Sequence, residues 1–434
     1  MTWTNWAGDE SCVPATVRSP ASVDELAAVI KQAADQDQVV RVAGAGHSFS
    51  DLVCTNGVLL SLDGLRGILD VDKTRNVVTV AAGTRLYDLN PALAQLGYAL
   101  PNLGDIDRQS LAGAISTATH GTGRLLGNLA TQVEALQLVL ADGSVRTITA
   151  ADDETLRAAR VSLGALGVVS AYTLRVVPAF RLHAQERRLR LDETLAQLDE
   201  LAEANEHFEF FVFPHTMHAL IRANNRTDEP AEPAGRVREY VDGHLVQNKL
   251  LDLLCRAGRA RPSLIPRLNR LITSAVSPST RVDDSYKIFA SQRSVRFTES
   301  EWAIPHEACA EAVREILRIV RARGFHVNFP LEVRFVSADE ESFLSPSYGR
   351  ATAYIAVHVY RGMDWRPYFQ AVQEIASAYG GRPHWGKRHL LSAGQLASRY
   401  PAWDRFQAVR AQLDPSGRFS NEHVRRVLGT PHSA

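Results

Sequence analysis

Apolar positions in the first 180 residues follow two different spacings along the chain. After Ser22, which with Glu25 has the sequence signature of a capping box, they recur at helical spacing, and Gly97 ends a second such stretch. Shorter continuous apolar runs predict strands, and Asp142-Gly143 is a typical two-residue hairpin turn between two of them. Residues 68–71 and 77–81 are predicted to pair as a second hairpin. The predicted strands are residues 16–18, 39–43, 58–62, 68–71, 77–81, 133–140, 145–148 and 168–177, and the second helix covers residues 85–96.

Beyond Pro178 the pattern changes to longer strands and amphipathic helices. A Pro-rich polar stretch, residues 228–235, is predicted as an exposed loop. We therefore expect an α+β protein of two units, residues 1–178 and residues 179–434. In the second unit, strands of one sheet are predicted at residues 208–213, 286–290, 327–335 and 353–360, with helices at residues 311–323 and 365–379 covering one face of the sheet.

Composition narrows the classes of function. The chain has 434 residues with 48 Lys and Arg against 48 Asp and Glu, and this zero net charge argues against a nucleic-acid partner. Apolar runs fall far short of the roughly 20 residues of a membrane helix, and the N-terminus has no signal-peptide pattern. Four distant cysteines and 14 histidines show no metal-ligand spacing, so we expect reduced thiols, no metal and a cytoplasmic protein.

A glycine loop follows the predicted strand at residues 39–43. Gly44-Ala-Gly46 invites comparison with the dinucleotide fingerprint, but the sixth position is Phe49, which is too large, and no helical spacing follows. The backbone N–H groups of the loop could still hold a pyrophosphate, although a plain tight turn explains the sequence equally well. A second stretch, residues 110–123, is dense in small residues, which suits either a flat ligand or a helix packed tightly on a sheet.

Four motifs together carry a resemblance to a known family. Gly44-Ala-Gly-His-Ser-Phe49, Ala118-Thr-His-Gly-Thr-Gly123, Leu331-Glu-Val-Arg-Phe335 and Pro383-His-Trp-Gly-Lys387 resemble the FAD-dependent sugar-1,4-lactone oxidases and dehydrogenases, with alditol oxidase nearby. The resemblance covers nearly the whole chain. It implies a two-part FAD-binding domain of the vanillyl-alcohol-oxidase (PCMH) type, then a substrate (cap) domain whose antiparallel sheet is covered by helices. The last ~50 residues would return to the FAD domain.

The resemblance also implies roles for individual residues around FAD. His47 would bond covalently to the 8α-methyl carbon of the flavin, and Gly104 would sit where a small residue lets dioxygen approach the flavin, although a turn glycine explains Gly104 as well. The residues implied to contact FAD are Ala43, Gly44, Ala45, Gly46, His47, Ser48, Gly104, Asp105, Ser110, Gly113, Thr117, His120, Gly121, Gly167 and Val169.

Charged residues cluster by parity on two predicted strands of the second unit. Glu332 and Arg334 lie two positions apart and share a face, and Tyr354, His358 and Tyr360 share a parity on the next strand. Such groups either line a wet cavity or form a solvent-facing sheet with an ion pair. The resemblance favours the cavity and implies that Glu332 and Arg334 line it.

Lys387 stands out because lysine is rare in this chain. Only five of its 48 basic residues are Lys, a bias that base composition explains for the other four. Lys can accept a proton when burial tunes it, whereas Arg cannot, but a surface position is the ordinary state of a lysine. The resemblance places Lys387 in the substrate pocket, in a turn between two helices, where it or His358 would take the proton of the substrate hydroxyl.

The expected activity is oxidation of an aldono-1,4-lactone of the L-gulono or D-arabinono type. Hydride would pass to flavin N5, the product would be a 2-keto lactone that enolises to an ascorbate-like enediol, and electrons would pass to O2 or another acceptor. Oxidation of a linear alditol remains an alternative of the same class. A flavin-binding protein without turnover is the alternative from a different class, and a metal protein built on the histidines has little support.

Overall fold

The computed structural model describes residues 2–232, 249–291 and 294–431. Within these ranges it has twenty strands and fourteen α-helices. The strands are β1 (Trp3–Thr4), β2 (Ser11–Cys12), β3 (Thr16–Arg18), β4 (Val40–Ala43), β5 (Val58–Ser61), β6 (Ile68–Asp72), β7 (Val77–Ala81), β8 (Tyr98–Ala99), β9 (Val133–Val139), β10 (Val145–Ile148), β11 (Val168–Arg175), β12 (Val177–Pro178), β13 (Arg181–Arg190), β14 (His207–Val212), β15 (His218–Thr227), β16 (Ser279–Asp284), β17 (Phe297–Pro305), β18 (Leu331–Val336), β19 (Thr352–Tyr360) and β20 (Arg382–Pro383). The helices are α1 (Val23–Asp35), α2 (Leu86–Gln95), α3 (Leu111–Ser116), α4 (Asp153–Arg160), α5 (Leu191–Ala196), α6 (Leu198–Glu203), α7 (Leu251–Ala260), α8 (Ile265–Ala275), α9 (Ser285–Phe289), α10 (Cys309–Ala322), α11 (Arg366–Ala378), α12 (Ala393–Ala397), α13 (Trp403–Leu413) and α14 (Glu422–Leu428).

The first 180 residues build two main sheets. A parallel sheet has the order β3-β5-β4, and an antiparallel sheet has the order β10-β9-β11-β7-β6, so both predicted hairpins are confirmed. Ser22 caps α1 by accepting the N–H of Glu25, but the Glu25 carboxylate bonds the N–H of Ala21 instead of that of Ser22. Only half of the predicted capping box therefore forms.

An eight-stranded antiparallel sheet dominates the described part of the second unit, in the order β16-β13-β15-β14-β18-β19-β17-β20. One face is apolar: Trp302, Val333 and Ile355 join the main core together with buried side chains of α10 and α11. The opposite face carries charged groups, because residue parity along each strand separates the two sets. The predicted covering helices and the predicted parity are confirmed.

Two of the strand predictions need correction. Residues 286–290 form most of helix α9 instead of a strand, and Lys287 binds Asp283 and Asp284 at 3.2 and 2.6 Å across this turn. Five apolar-rich residues are too few to separate the two periods, so tertiary packing decides. The strand predicted at residues 327–335 begins only at Leu331, because Pro330 has no N–H to donate to a neighbouring strand. Of the predicted loop at residues 228–235, residues 228–232 have no regular structure and the rest lies outside the described residues.

The C-terminal segment returns to the N-terminal sheets. The Arg418 carbonyl accepts the N–H of Val40 at 3.0 Å, and the Phe419 carbonyl accepts Nη1 of Arg41 at 2.6 Å. The side chain of Asn421 donates to the carbonyls of residues 51, 52 and 54. The division of the chain at residue 178 stays a prediction. In the described ranges, none of the helices is long and apolar enough to cross a membrane.

Candidate active site

A narrow groove runs along the edge of the parallel sheet. It is lined mainly by three segments: residues 40–48, which are β4 and the loop after it, residues 109–117, which include α3, and residues 163–169, which lead into β11. Gly44 is required where two of these segments meet, because a Cβ there would lie 2.3 Å from Oγ of Ser110. Gly46 has a φ of +68°, a left-handed conformation that glycine adopts without strain.

The groove fits an elongated, flat nucleotide cofactor. Its floor is backbone and small side chains, so a ligand can approach peptide N–H groups closely. No helix follows the loop at residues 44–50, only a short 3-10 turn at Asp51–Val53, as its sequence predicts. Eleven of the residues predicted to contact FAD line this groove: Ala43, Gly44, Ala45, Gly46, His47, Ser48, Ser110, Gly113, Thr117, Gly167 and Val169.

His47 lies where the groove opens into a second, wider cavity. The Trp6 ring stacks on the imidazole with 5.2 Å between centroids, and the backbone N–H of Trp6 donates to the Gly46 carbonyl at 2.8 Å. Burial, reinforced by the positive charges of Lys387 and Arg85, lowers the pKa of His47 to about 4. The ring is therefore neutral at physiological pH and keeps a lone pair.

The second cavity has a volume of about 210 Å³ and lies between the glycine loops and the charged face of the large sheet. Groove and cavity share His47, Ser48, Gln109 and Thr117, so they form one continuous space. The loop and the Lys387 turn are tied directly together, since the N–H of Phe49 donates to the Gly386 carbonyl at 2.8 Å. A ligand held in the groove would thus extend into the cavity beside Lys387.

Lys387 is an ammonium held by a buried carboxylate. Its Nζ lies 2.5 Å from Oε2 of Glu299, and the Lys side chain is 21% exposed against 7% for the Glu side chain. Burial by itself would raise the pKa of Glu299, but the positive charge of Lys387 is the strongest of the effects that lower it, to about 2. An ammonium has no lone pair, so Lys387 can accept a proton only if it passes one to Glu299 at the same time.

Arg334 lines the same cavity and forms ion pairs with three carboxylates. Its guanidinium contacts Asp105 at 3.1 Å and Glu209 at 3.0 Å, and it also pairs with Glu332. Burial opposes the charge, but the Asp105 and Glu209 carboxylates hold the pKa of Arg334 above its ordinary value. Arg334 is therefore a fixed positive charge on the cavity wall.

Glu332 and His358 lie one layer behind the cavity wall. Neither is among the residues that line the cavity, and Glu332 and His358 are 4% and 3% exposed. His358 donates from Nδ1 to the Pro330 carbonyl at 3.1 Å, since a carbonyl only accepts, and Nε2 then faces Glu299 at 3.6 Å and Glu332 at 3.8 Å. The structure thus brings Lys387 and Arg334 to the cavity, with His358 and Glu332 beneath them.

Of the other four residues predicted to contact FAD, three line the cavity and one does not. Gly104, Asp105 and His120 line the cavity. Gly121 does not line it: a Cβ there would lie 2.2 Å from the Leu103 carbonyl, so Gly121 lets the segments at residues 102–104 and 119–123 cross.

Three buried side chains that sequence reasoning did not bring together also line the cavity. His120 Nε2 lies 3.2 Å from Oε1 of Glu301, and His384 is the third member. One ligand-type atom from each lies within 4.8 Å of the others, an arrangement that could hold a metal ion. These residues come from three distant segments, so no spacing rule could find them. The only signal was the period-two placement of Glu299 and Glu301 on one strand.

Comparison with known proteins defines the fold class first. The structure superimposes on cholesterol oxidase from Brevibacterium sterolicum with a TM-score of 0.82, at 18% identity, covering 98% of this chain and 96% of that protein. The family described as "FAD binding domain" matches residues 14–149. The chain therefore has the vanillyl-alcohol-oxidase type of FAD-binding fold, as predicted.

The family then follows from the second half and from relatives of full length. The family described as "D-arabinono-1,4-lactone oxidase" matches residues 172–427. L-gulono-1,4-lactone dehydrogenase of Mycobacterium tuberculosis is 51% identical, covering 98% of this chain and 99% of that protein. L-gulonolactone oxidase of Mus musculus is 36% identical (98% and 97% covered), and alditol oxidase of a Streptomyces species is 33% identical (98% and 98% covered). The chain belongs to the D-arabinono-1,4-lactone oxidase family of flavin-dependent oxidoreductases, which confirms the predicted family.

Proposed function

We propose that this protein oxidises an aldono-1,4-lactone of the L-gulono or D-arabinono type with FAD as its cofactor. One observation carries the proposal: the groove that fits a dinucleotide opens at His47 into a cavity walled by Lys387, Glu299 and Arg334. Bound FAD would supply the hydride acceptor. The relatives named for lactone substrates support this class of substrate.

The proton of the substrate hydroxyl leaves through a relay of three residues. Lys387 takes it at Nζ while giving one of its own protons to Oε2 of Glu299, 2.5 Å away. His358 keeps Nε2 toward Glu299 at 3.6 Å and can hold the proton next, because its Nδ1–H is fixed on the Pro330 carbonyl. Both residues predicted as the proton acceptor thereby take successive places in one path.

Arg334 and Glu332 stabilise the charge that develops on the substrate in this proposal. The fixed guanidinium of Arg334 stabilises negative charge that develops in the cavity as the hydride leaves. Glu332 pairs with Arg334 and holds it in position. A neutral sugar suits the site, because the charged groups of the wall are already paired with each other.

His47 is proposed to carry the cofactor covalently. His47 would hold the flavin through its 8α carbon, because a neutral imidazole keeps the nucleophilic lone pair that such a bond needs. Stacking on Trp6 fixes the ring at the junction of groove and cavity.

Anaerobic titration of the purified protein tests the proposal. Flavin bleaching is recorded with a panel of aldono-1,4-lactones and linear alditols. Bleaching by lactones at low concentration supports the proposal, whereas preferential bleaching by alditols replaces the substrate class. A stable yellow protein that no sugar bleaches would identify a flavin-binding protein without turnover.

A further inference from the structure

The cavity contains a second buried ion pair beside Lys387 and Glu299. His120 and Glu301 are each 3% exposed and lie 3.2 Å apart, from Nε2 to Oε1. Glu301 and Glu299 are two positions apart on β17, so both carboxylates face the cavity, about 7 Å apart along the strand. The proton relay of Lys387 and Glu299 does not use this second pair.

Hydrogen bonds fix the proton content of the second pair. The Gly121 carbonyl lies 2.8 Å from Nδ1 of His120, and a carbonyl only accepts, so Nδ1 carries a proton. Nε2 lies 3.2 Å from Oε1 of Glu301, within hydrogen-bond distance, so a proton lies between these two atoms. Burial by itself would raise the pKa of Glu301, but the charge of His120 and its hydrogen bond hold it well below its usual value. Glu301 is therefore an oriented, ionised carboxylate.

His384 completes the group as a neutral N–H donor. Its Nδ1 accepts the N–H of Gly386 at 3.0 Å, which leaves the ring proton on Nε2. Burial lowers the pKa of His384 to about 3, so the ring is neutral. A metal ion would need a free lone pair from both imidazoles, and the lone pair of His384 is taken by the backbone. The cluster thus suits proton transfer better than metal binding.

We propose that Glu301, with His384 and Lys387 as hydrogen-bond donors, catalyses a second reaction in this cavity: enolisation of the 2-keto lactone. This inference rests on the proposed function, which supplies the ketone. The carboxylate of Glu301 takes the proton from C3. The C3–H electron pair becomes the C2=C3 double bond, and the carbonyl pair moves onto the C2 oxygen, where N–H groups of His384 and Lys387 stabilise it.

The step balances without any further reactant. The lactone loses one proton and leaves as the enediolate, Glu301 gains that proton, and Glu301 returns it to water once the product has left. His120 is a positioning residue that keeps Glu301 ionised and aimed. Oxidation and enolisation remove protons from two different atoms, O2 and C3, so the reaction needs two acceptors, and β17 provides Glu299 and Glu301.

Anaerobic single-turnover kinetics with two matched variants test this inference. Flavin bleaching and the ultraviolet absorbance of the enediolate are recorded together after mixing with a lactone. In the wild type the enediolate should follow bleaching after a short lag that does not depend on buffer concentration. In Glu301→Gln the rate of enediolate formation should be at least tenfold lower than the rate of bleaching, whatever the rate of bleaching. Glu299→Gln is the control: bleaching should slow, with no lag between the signals.

A measurement on the wild type tests the inference even if a variant does not fold. With a lactone carrying deuterium at C3, enediolate formation should slow at least twofold relative to bleaching. The inference is overturned if Glu301→Gln shows no lag, or if the wild type itself lags at a rate set by buffer concentration, as free enolisation would. If no lactone bleaches the flavin, the proposed function fails first, which separates the two outcomes.

Discussion

At the scale of single residues, His47 combines a neutral imidazole with a fixed ring plane. Burial among cationic neighbours keeps the ring deprotonated, and Trp6 restricts its rotation. These two properties are the ones a nitrogen nucleophile needs. They follow from contacts between residues 6, 47 and 387, so the Gly-His-Ser motif by itself could not predict them.

The first prediction concerns attachment of FAD to His47. Protein precipitated in acid should retain its yellow colour, whereas His47→Ala should release all of it. His306→Gln, which changes a partly buried histidine paired with the exposed Asp199, should behave like the wild type. The folded pKa is lowered, so the nucleophilic form is present above it and is lost only below about pH 4. The rate at which FAD becomes attached to apoprotein should be flat above this value. A midpoint near the ordinary value of 6.5 would contradict the argument.

The second prediction concerns Gly104 and dioxygen. A Cβ at this position would lie 3.2 Å from Cγ2 of Thr119 and 3.3 Å from the His120 carbonyl, at the wall of the cavity. Gly104→Ala should therefore narrow access of dioxygen and reduce peroxide production at least tenfold, while reduction of an artificial dye continues. Gly394→Ala, where a Cβ meets nothing within 4 Å, is the matched control. Unchanged peroxide production would show that Gly104 is only a turn residue.

At the scale of elements, strand β17 and the turn at residues 384–388 line one wall of the cavity. Backbone N–H groups of His384 and Arg388 donate to the carbonyls of Glu301 and Glu299, at 3.0 and 2.9 Å, which holds Lys387 over the strand. Alternation of residue type could have indicated β17, since Glu299 and Glu301 share one parity. It could not indicate that the polar parity is buried, because burial depends on which segment covers the sheet.

The third prediction tests the ion pair of Lys387 and Glu299 on this wall. Lys387→Met should keep bound flavin but slow anaerobic bleaching by a lactone about 100-fold or more, in the range that a positioned acid–base group contributes. The control is Lys287→Met, because Lys287 also pairs with carboxylates but lies at the surface with 42% exposure, and its loss should leave bleaching unchanged. Bleaching of Lys387→Met within threefold of the wild type would remove Lys387 from the proton path.

At the scale of the whole molecule, the site exists only where distant segments converge. The periodicity predicted eleven of the twenty strands in the described ranges, both hairpins and the covering helices, because each depends on local spacing. It missed five of the eight strands of the large sheet, β13, β15, β16, β17 and β20. The meeting of residues 47, 120 and 387 depends on long-range packing, and only the family motifs indicated it. Glu299 belongs to none of these motifs and was not predicted as a site residue. The zero net charge fits this design, since the charged groups of the cavity compensate each other locally.

The last prediction concerns Arg41, which joins three of these segments. Its guanidinium, in a residue 4% exposed, donates to the carbonyls of Leu52, Leu163 and Phe419 at 3.0, 2.8 and 2.6 Å. Arg41→Met would leave these buried acceptors unpaired, so the free energy of unfolding should fall by about 3 kcal/mol or more. Because the same contacts border the groove, FAD content should fall as well.

Urea unfolding of the purified variants measures this effect. The matched control is Arg405→Met, whose guanidinium pairs with Glu154 at the surface with 45% exposure, and which should cost less than about 1 kcal/mol. If the two substitutions cost the same, the C-terminal segment is not held by Arg41. The groove would then owe its shape to the glycine loops and not to the return of the chain, and FAD content in Arg41→Met should match that of the wild type.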